Sequence, residues 1–189
     1  MDQQISAIIG WVGSLAELRD DTTGKHNENV QRYLKVLIEK TGGKQDMDDI
    51  MLASVLHDVG KIRIPDSILL KRGRLTEREF ELMKKHCQFG KELLESLQSQ
   101  LDLPFLEYAK VMAYYHHEKW DGTGYPEGLK GGAIPLEARL ISLVDVYDVL
   151  LSQRPYKPAF PHEQALELIV EGRGTHFDPE LVDLFVSMF

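Results

Sequence analysis

The chain has 189 residues, a net charge of −8 at pH 7 and one cysteine, Cys87. A domain of this length buries roughly 70% of the surface that its unfolded chain exposes, so it needs no disulfide framework. A lone cysteine forms no internal bridge, and a reducing cytoplasm is the expected compartment. The acidic balance excludes long nucleic acids and anionic membranes as general partners, while a small phosphate ligand stays compatible with a locally positive pocket.

Residues 1–20 are predicted to form the first helix, weakened by Gly10 and Gly13. No stretch is long and apolar enough to span a bilayer. The apolar segment 5–18 lacks a preceding Lys or Arg and runs into Glu17, Arg19 and Asp20, so it is not read as a secretory leader. Residues 28–40 place Val30, Tyr33, Leu34, Leu37 and Ile38 on one helical face, and Gly42-Gly43 stops that helix. A third helix is predicted over 48–59, apolar enough to be buried, followed by a loop containing Pro65. Thr76 and Glu79 have the spacing of a capping box that opens a long helix to about residue 97. A further helix is predicted over 104–120. Residues 121–135 hold five glycines and two prolines and must form a loop. Helices over 136–152, 162–171 and 179–188 close the chain, the last with Asp178 as N-cap and Pro179 in its first turn. Strand-like alternation, internal repeats and low-complexity tracts are absent. The predicted fold class is all-α, with a main domain over 26–189. Residues 1–25 form a leading helix that could be the tail of a linker from a regulatory domain.

Seven histidines are present, and three features raise some of them above background. His57-Asp58 ends a buried helix. His116-His117 is a doublet immediately before the glycine-rich loop. Asp145 and Asp148 sit three apart among Leu140, Ile141, Leu143, Val144, Val146, Val149 and Leu150, with Arg139 six residues from Asp145 on a different face. A carboxylate such as Asp145 costs several kcal/mol to bury unless something pairs with it, and a metal held with buried histidines is the natural partner. Asp148 has a plainer explanation as a hydrogen-bonding group near a helix end. His162 and His176 read as a cap-region residue and a loop residue. Mixed imidazole and carboxylate donors suit Fe, Mn, Zn, Ni or Co rather than Ca or Mg alone.

His57-Asp58-Val59-Gly60-Lys61, followed by His116-His117-Glu118-Lys119-Trp120-Asp121-Gly122-Thr123-Gly124-Tyr125-Pro126, resembles the HD-GYP family of cyclic-di-GMP phosphodiesterases. The resemblance covers nearly the whole chain. It includes Thr23-Gly24 before His26, Ile64-Pro65-Asp66, His86, Asp145-Val146-Tyr147-Asp148, Arg154-Pro155-Tyr156-Lys157 and Gly174-Thr175-His176-Phe177-Asp178-Pro179. It implies an HD-superfamily helical domain with two divalent ions, Fe or Mn first and Zn, Ni or Co as further options. One ion would be held by His26, His57, Asp58 and Asp145, the other by Asp58, His86, His116 and His117, with Asp58 bridging. Metal binding lowers the pKa of water towards 7 and so supplies hydroxide at neutral pH. Lys61 would neutralise a phosphate oxygen. Tyr125, Asp148, Arg154 and Lys157 are implied at the nucleotide. Thr22 stands where some members carry a glutamate that helps to hold a third metal, so two ions are expected.

The implied activity is hydrolysis of cyclic-di-GMP to pGpG or GMP in bacterial second-messenger signalling. Two alternatives stay open. One keeps the chemistry but acts on another cyclic dinucleotide such as 3′,3′-cGAMP. The other is a non-catalytic module that binds a nucleotide or a partner. A receiver or sensor domain in the parent protein and a homodimer are compatible with either.

Overall fold

The computed structural model describes residues 3–19, 25–43, 46–153 and 159–189. Its elements are helical, as expected, and among the described residues the extended pairing is a single isolated bridge between Arg173 and Phe177. The helices are α1 (Gln3–Leu18), α2 (His26–Thr41), α3 (Met47–Ser54), α4 (Asp66–Leu69), α5 (Glu77–Gln98), α6 (Phe105–Tyr115), α7 (Leu136–Leu151), α8 (His162–Glu171) and α9 (Pro179–Val186). Tight 3-10 turns occupy Val59–Arg63 and Gly131–Ala133. None of the helices described is long and apolar enough to cross a membrane.

The centre of the domain is α7. Its sequence is apolar on nearly every face, the pattern of a helix covered on all sides, and Leu140, Ile141, Leu143, Val144 and Tyr147 are buried. The helix α2 packs along it with the buried stripe Val30, Leu34, Leu37 and Ile38. On the other side α5 packs on α6, and α6 on α3. Gly42 ends α2 in the left-handed region at φ 78°, where a residue without a Cβ meets no steric penalty. Asp178 caps α9 by accepting from the Glu180 N–H at 2.9 Å, and it also binds Arg139, whose Nε donates to the Ile134 carbonyl.

Two predicted helices end early, and both endings build the site. The helix expected over 48–59 stops at Ser54. Beyond it the backbone tightens into i→i+3 bonds: Leu56 N–H to Ala53 O, His57 to Ser54, Val59 to Leu56 and Lys61 to Asp58. The cause is the packing of Gly60 on α5. A Cβ on Gly60 would lie 1.9 Å from the His86 carbonyl oxygen and 2.4 Å from Gly90 N. The helix expected to reach residue 120 stops at Tyr115, because the following backbone bonds elsewhere. Trp120 N–H donates to His176 O, Asp121 N–H to Thr175 O, and Tyr125 N–H returns to His117 O.

The capping box that opens α5 is complete. The Glu79 N–H donates to Thr76 Oγ1 at 3.3 Å and the Thr76 N–H to Glu79 Oε2 at 2.7 Å. Lys71 and both Thr76 donors hold the Glu79 carboxyl down at about 2 from an ordinary 4.5. A depressed folded-state pKa means that this contribution is fully present above pH 4.5 and is lost as pH falls towards 2. Thr76→Ala is expected to cost about 1 kcal/mol and to flatten the acid limb of stability across that window. Urea titrations at pH 7 and pH 3 check this: an equal loss at both pH values would contradict it.

Candidate metal centre

Five elements deliver the histidine and aspartate side chains to one place. His26 opens α2, His57 and Asp58 lie in the turn after α3, His86 is on α5, His116 and His117 follow α6, and Asp145 is on α7. They form two groups. In one, ligand atoms of Asp58, His86, His116 and His117 lie within 4.8 Å of one another; in the other, those of His26, His57 and Asp145 do. Asp58 stands between them. Its Oδ1 is 3.5 Å from His86 Nε2 and 3.6 Å from His116 Nε2, while its Oδ2 is 3.5 Å from His57 Nε2.

These separations are too long for good hydrogen bonds, and His57 Nε2 and Asp58 Oδ1 are buried polar atoms without a hydrogen-bond partner among the described residues. Leaving such atoms unpaired costs on the order of 1–3 kcal/mol each. A cation among them satisfies both, so the residues present fit a divalent metal. The ring orientations fit as well. His57 Nδ1 faces the Ser54 carbonyl at 2.7 Å, His86 Nδ1 the Met83 carbonyl at 2.7 Å, and His116 Nδ1 the Met112 carbonyl at 2.9 Å. A ring that donates from Nδ1 to a carbonyl keeps its Nε2 lone pair for a metal.

Charge is arranged to the same end. Burial lowers the pKa of His57, brings His86 to about 4, and holds His117, which also faces His116 and His86, well below the usual histidine range. These rings are neutral donors at pH 7. Burial would raise the Asp58 carboxyl, but the Lys61 ammonium beside it opposes this, and the carboxyl sits well below the carboxylate range. Burial opposes charge on His26 too, yet Asp145 and Asp148 outweigh it and raise the ring to about 10.

Asp148, expected at the nucleotide, is instead 1% exposed, and its Oδ2 lies 2.7 Å from His26 Nδ1. It backs a metal-ligand candidate rather than facing open space. Lys61, implied at a phosphate oxygen, also has its Nζ 2.8 Å from Asp58 Oδ2. A cavity of about 250 Å³ opens onto the centre, lined in part by Glu17, His26, His57, Asp58, Lys61, His117 and Asp145. The Tyr125 ring lies 4.8 Å from that of His117, which lines the cavity. His162 bonds Tyr147 through Nδ1 at 2.7 Å, and His176 stacks on Phe177; neither belongs to the two groups. Arg154, Lys157 and Thr22 lie outside the described residues.

Three positioning residues escape a reading of the sequence. Glu118 is 2% exposed and accepts from the backbone N–H groups of Glu127, Gly128 and Leu129 at 2.7–3.0 Å, which pins the glycine-rich loop behind His117. Glu17 accepts from the His26 N–H at 2.9 Å. The Arg19 guanidinium donates to the Lys61, Ile62 and Ile64 carbonyls. Glu118 falls inside the stretch that carries the resemblance, but a glutamate before a lysine, or an arginine at a helix end, ordinarily reads as a solvated surface, so no local pattern marks these positioning roles.

The HD domain family matches residues 11–181 of the chain, and the chain belongs to that family. Among its relatives, a cyclic di-GMP phosphodiesterase of Vibrio cholerae is 46% identical over 187 residues, covering 94% of this chain and 38% of that protein. A 3′3′-cGAMP-specific phosphodiesterase of the same organism is 40% identical over 177 residues, covering 93% of this chain and 33% of that protein. The chain thus spans less than half the length of these curated relatives. The solved structure of an HDG"Y"P protein from Bdellovibrio bacteriovorus superposes with a TM-score of 0.66 at 21% identity, covering 86% of this chain and 51% of that one, a likeness of fold.

Gly60→Ala tests how the centre is held. A methyl 1.9 Å from the His86 oxygen forces the Asp58 turn away from α5, and overpacking of this kind costs about 1–3 kcal/mol. The variant is expected to melt lower and to bind less manganese than the parent, read by calorimetry and by elemental analysis. Parent values for both would contradict the close packing described.

Proposed function

We propose that this domain is a metal-dependent phosphodiesterase with a dinuclear centre, acting on cyclic-di-GMP. The observation that carries the reading is the Asp58 carboxylate between two sets of convergent donors, with Oδ1 towards one and Oδ2 towards the other. His26, His57, Asp58 and Asp145 would hold one ion, and Asp58, His86, His116 and His117 the other, with iron or manganese the first choice for this donor set. Such ions supply an activated water and positive charge to a phosphodiester.

The protein's own groups do the rest. The neutral imidazoles offer lone pairs without first releasing protons. His26, turned by Asp148, presents Nε2 on the same side as Asp145, 3.3 Å from its Oδ1. Lys61 lines the cavity and can place its ammonium against a non-bridging phosphate oxygen, where negative charge grows during attack. The cavity is smaller than the several hundred Å³ of a typical ligand cleft. It therefore takes the scissile phosphate and its neighbouring sugar, leaving the bases nearer the rim. Arg154 and Lys157 belong to the same proposal as contacts to phosphate and guanine, and a regulatory input domain joined to this one belongs to it as well. The names of the relatives support both cyclic-di-GMP and 3′,3′-cGAMP as substrates, and the first is favoured by the higher identity.

Asp58→Ala is expected to lose both metals and all turnover, whereas His57→Ala or His117→Ala mainly depletes one ion. Lys61→Ala should keep its metals and lose about thirtyfold in kcat/KM, the equivalent of about 2 kcal/mol. Elemental analysis paired with hydrolysis of both cyclic dinucleotides by the manganese- and iron-loaded protein reads all of these outcomes. Full metal content in Asp58→Ala would remove the bridging assignment. A loaded parent that binds either dinucleotide but hydrolyses neither would make this a binding module.

A further inference from the structure

The outer face of α1 differs from the rest of the surface. Ile8, Trp11, Leu15 and Leu18 are 60%, 67%, 42% and 63% exposed, and Val12 lies beside them. Their spacing of three, four and three residues is that of the a and d positions of a coiled-coil seam. The helix cannot roll to bury this stripe in its own domain, because its inner face is already engaged. Ile9 and Ala16 are buried, a Cβ on Gly13 would lie 2.5 Å from the Val55 carbonyl oxygen, and Glu17 binds the His26 N–H.

We propose that the stripe is an interaction surface for a second copy of this chain, α1 packing on α1 with Trp11 as anchor. Three arguments select that occupant. The first is charge. The chain carries −8, so two copies repel over most of their surface, but the one charged residue of α1 is Glu17 on the inner face. An uncharged apolar stripe is complementary to itself, as a two-fold contact requires. The second is area. Five side chains so exposed present on the order of 500 Å² per copy, and the pair reaches about the lower bound for a specific interface. The third is preorganisation. A free helix of this length is marginal in water, whereas α1 is already folded against its domain and pays no nucleation cost on pairing. The stripe also lacks the lysines and arginines that a helix lying on a membrane carries.

Sedimentation of the whole metal-loaded chain over a wide concentration range tests the proposal without reference to activity. The mass is expected to double from 21.6 kDa as concentration rises. Trp11→Glu/Leu15→Glu should stay monomeric with parent circular dichroism and parent manganese content. The milder Leu15→Ser should weaken pairing by about tenfold. Val170→Glu, on an exposed apolar residue of α8, should pair like the parent. A parent that is monomeric at every concentration, including one that pellets with anionic vesicles instead, would overturn the proposal. So would a double variant that still doubles its mass, or a Val170→Glu variant that no longer does.

Discussion

The contact of Gly60 with α5 is the constraint on which the centre depends. The turn bearing Asp58 meets the His86 carbonyl and Gly90 N with no room for a Cβ. Ala113 closes in on Gly90 from α6, its Cβ 3.1 Å from the Cβ position there. Two backbones and the small Ala113 methyl therefore share a space that larger side chains would otherwise fill. The result is that Asp58 reaches a point where its two oxygens face two different histidine groups. An unbroken helix through residues 55–59 would carry the carboxylate along the helix surface instead of in between.

Around that carboxylate the domain supplies three rings held neutral by burial, His57, His86 and His117, and the Lys61 ammonium as a nearby cation. The rings of His57, His86 and His116 are oriented by backbone carbonyls of their own helices or turns, an arrangement that needs no further side chain and is as rigid as the helix itself. His26 is the exception. It is oriented by the buried carboxylate of Asp148, and its backbone N–H is held by Glu17 from α1. That half of the centre depends on contacts between elements far apart in sequence, whereas the His86–His116–His117 half rests mainly on α5 and α6. Burying Asp58 and Asp145 is costly, and the dinuclear centre proposed above would offset that cost and present net positive charge to a phosphodiester.

Much of this was legible in the sequence because the chemistry restricts the residue types. A carboxylate in an apolar helix, a His-Asp pair and a histidine doublet are conspicuous, and Asp145, His57, Asp58, His116 and His117 do converge in the structure; His26 and His86, which join them, carry no such local mark and are implied only by the resemblance. The helical class and the cap of α5 were legible for a similar reason, since periodicity and capping are local. What was hidden is long-range. Helical propensity carried the third helix through His57 and Asp58, and only the packing of Gly60 on α5 ends it. The loop after His117 reads as polar punctuation until Glu118 is seen to collect three of its N–H groups. Asp148 was placed at the nucleotide by resemblance, while its burial against His26 is set by how α2 crosses α7.

The central claim is that Asp58 bridges two ions, and the most direct test is an anomalous difference map from crystals of the unaltered protein grown with manganese. The account predicts two peaks about 3.5–4 Å apart flanking the Asp58 carboxylate, one towards His86, His116 and His117 and the other towards His26, His57 and Asp145. A single peak at saturating manganese, or two peaks of which only one touches Asp58, would contradict it.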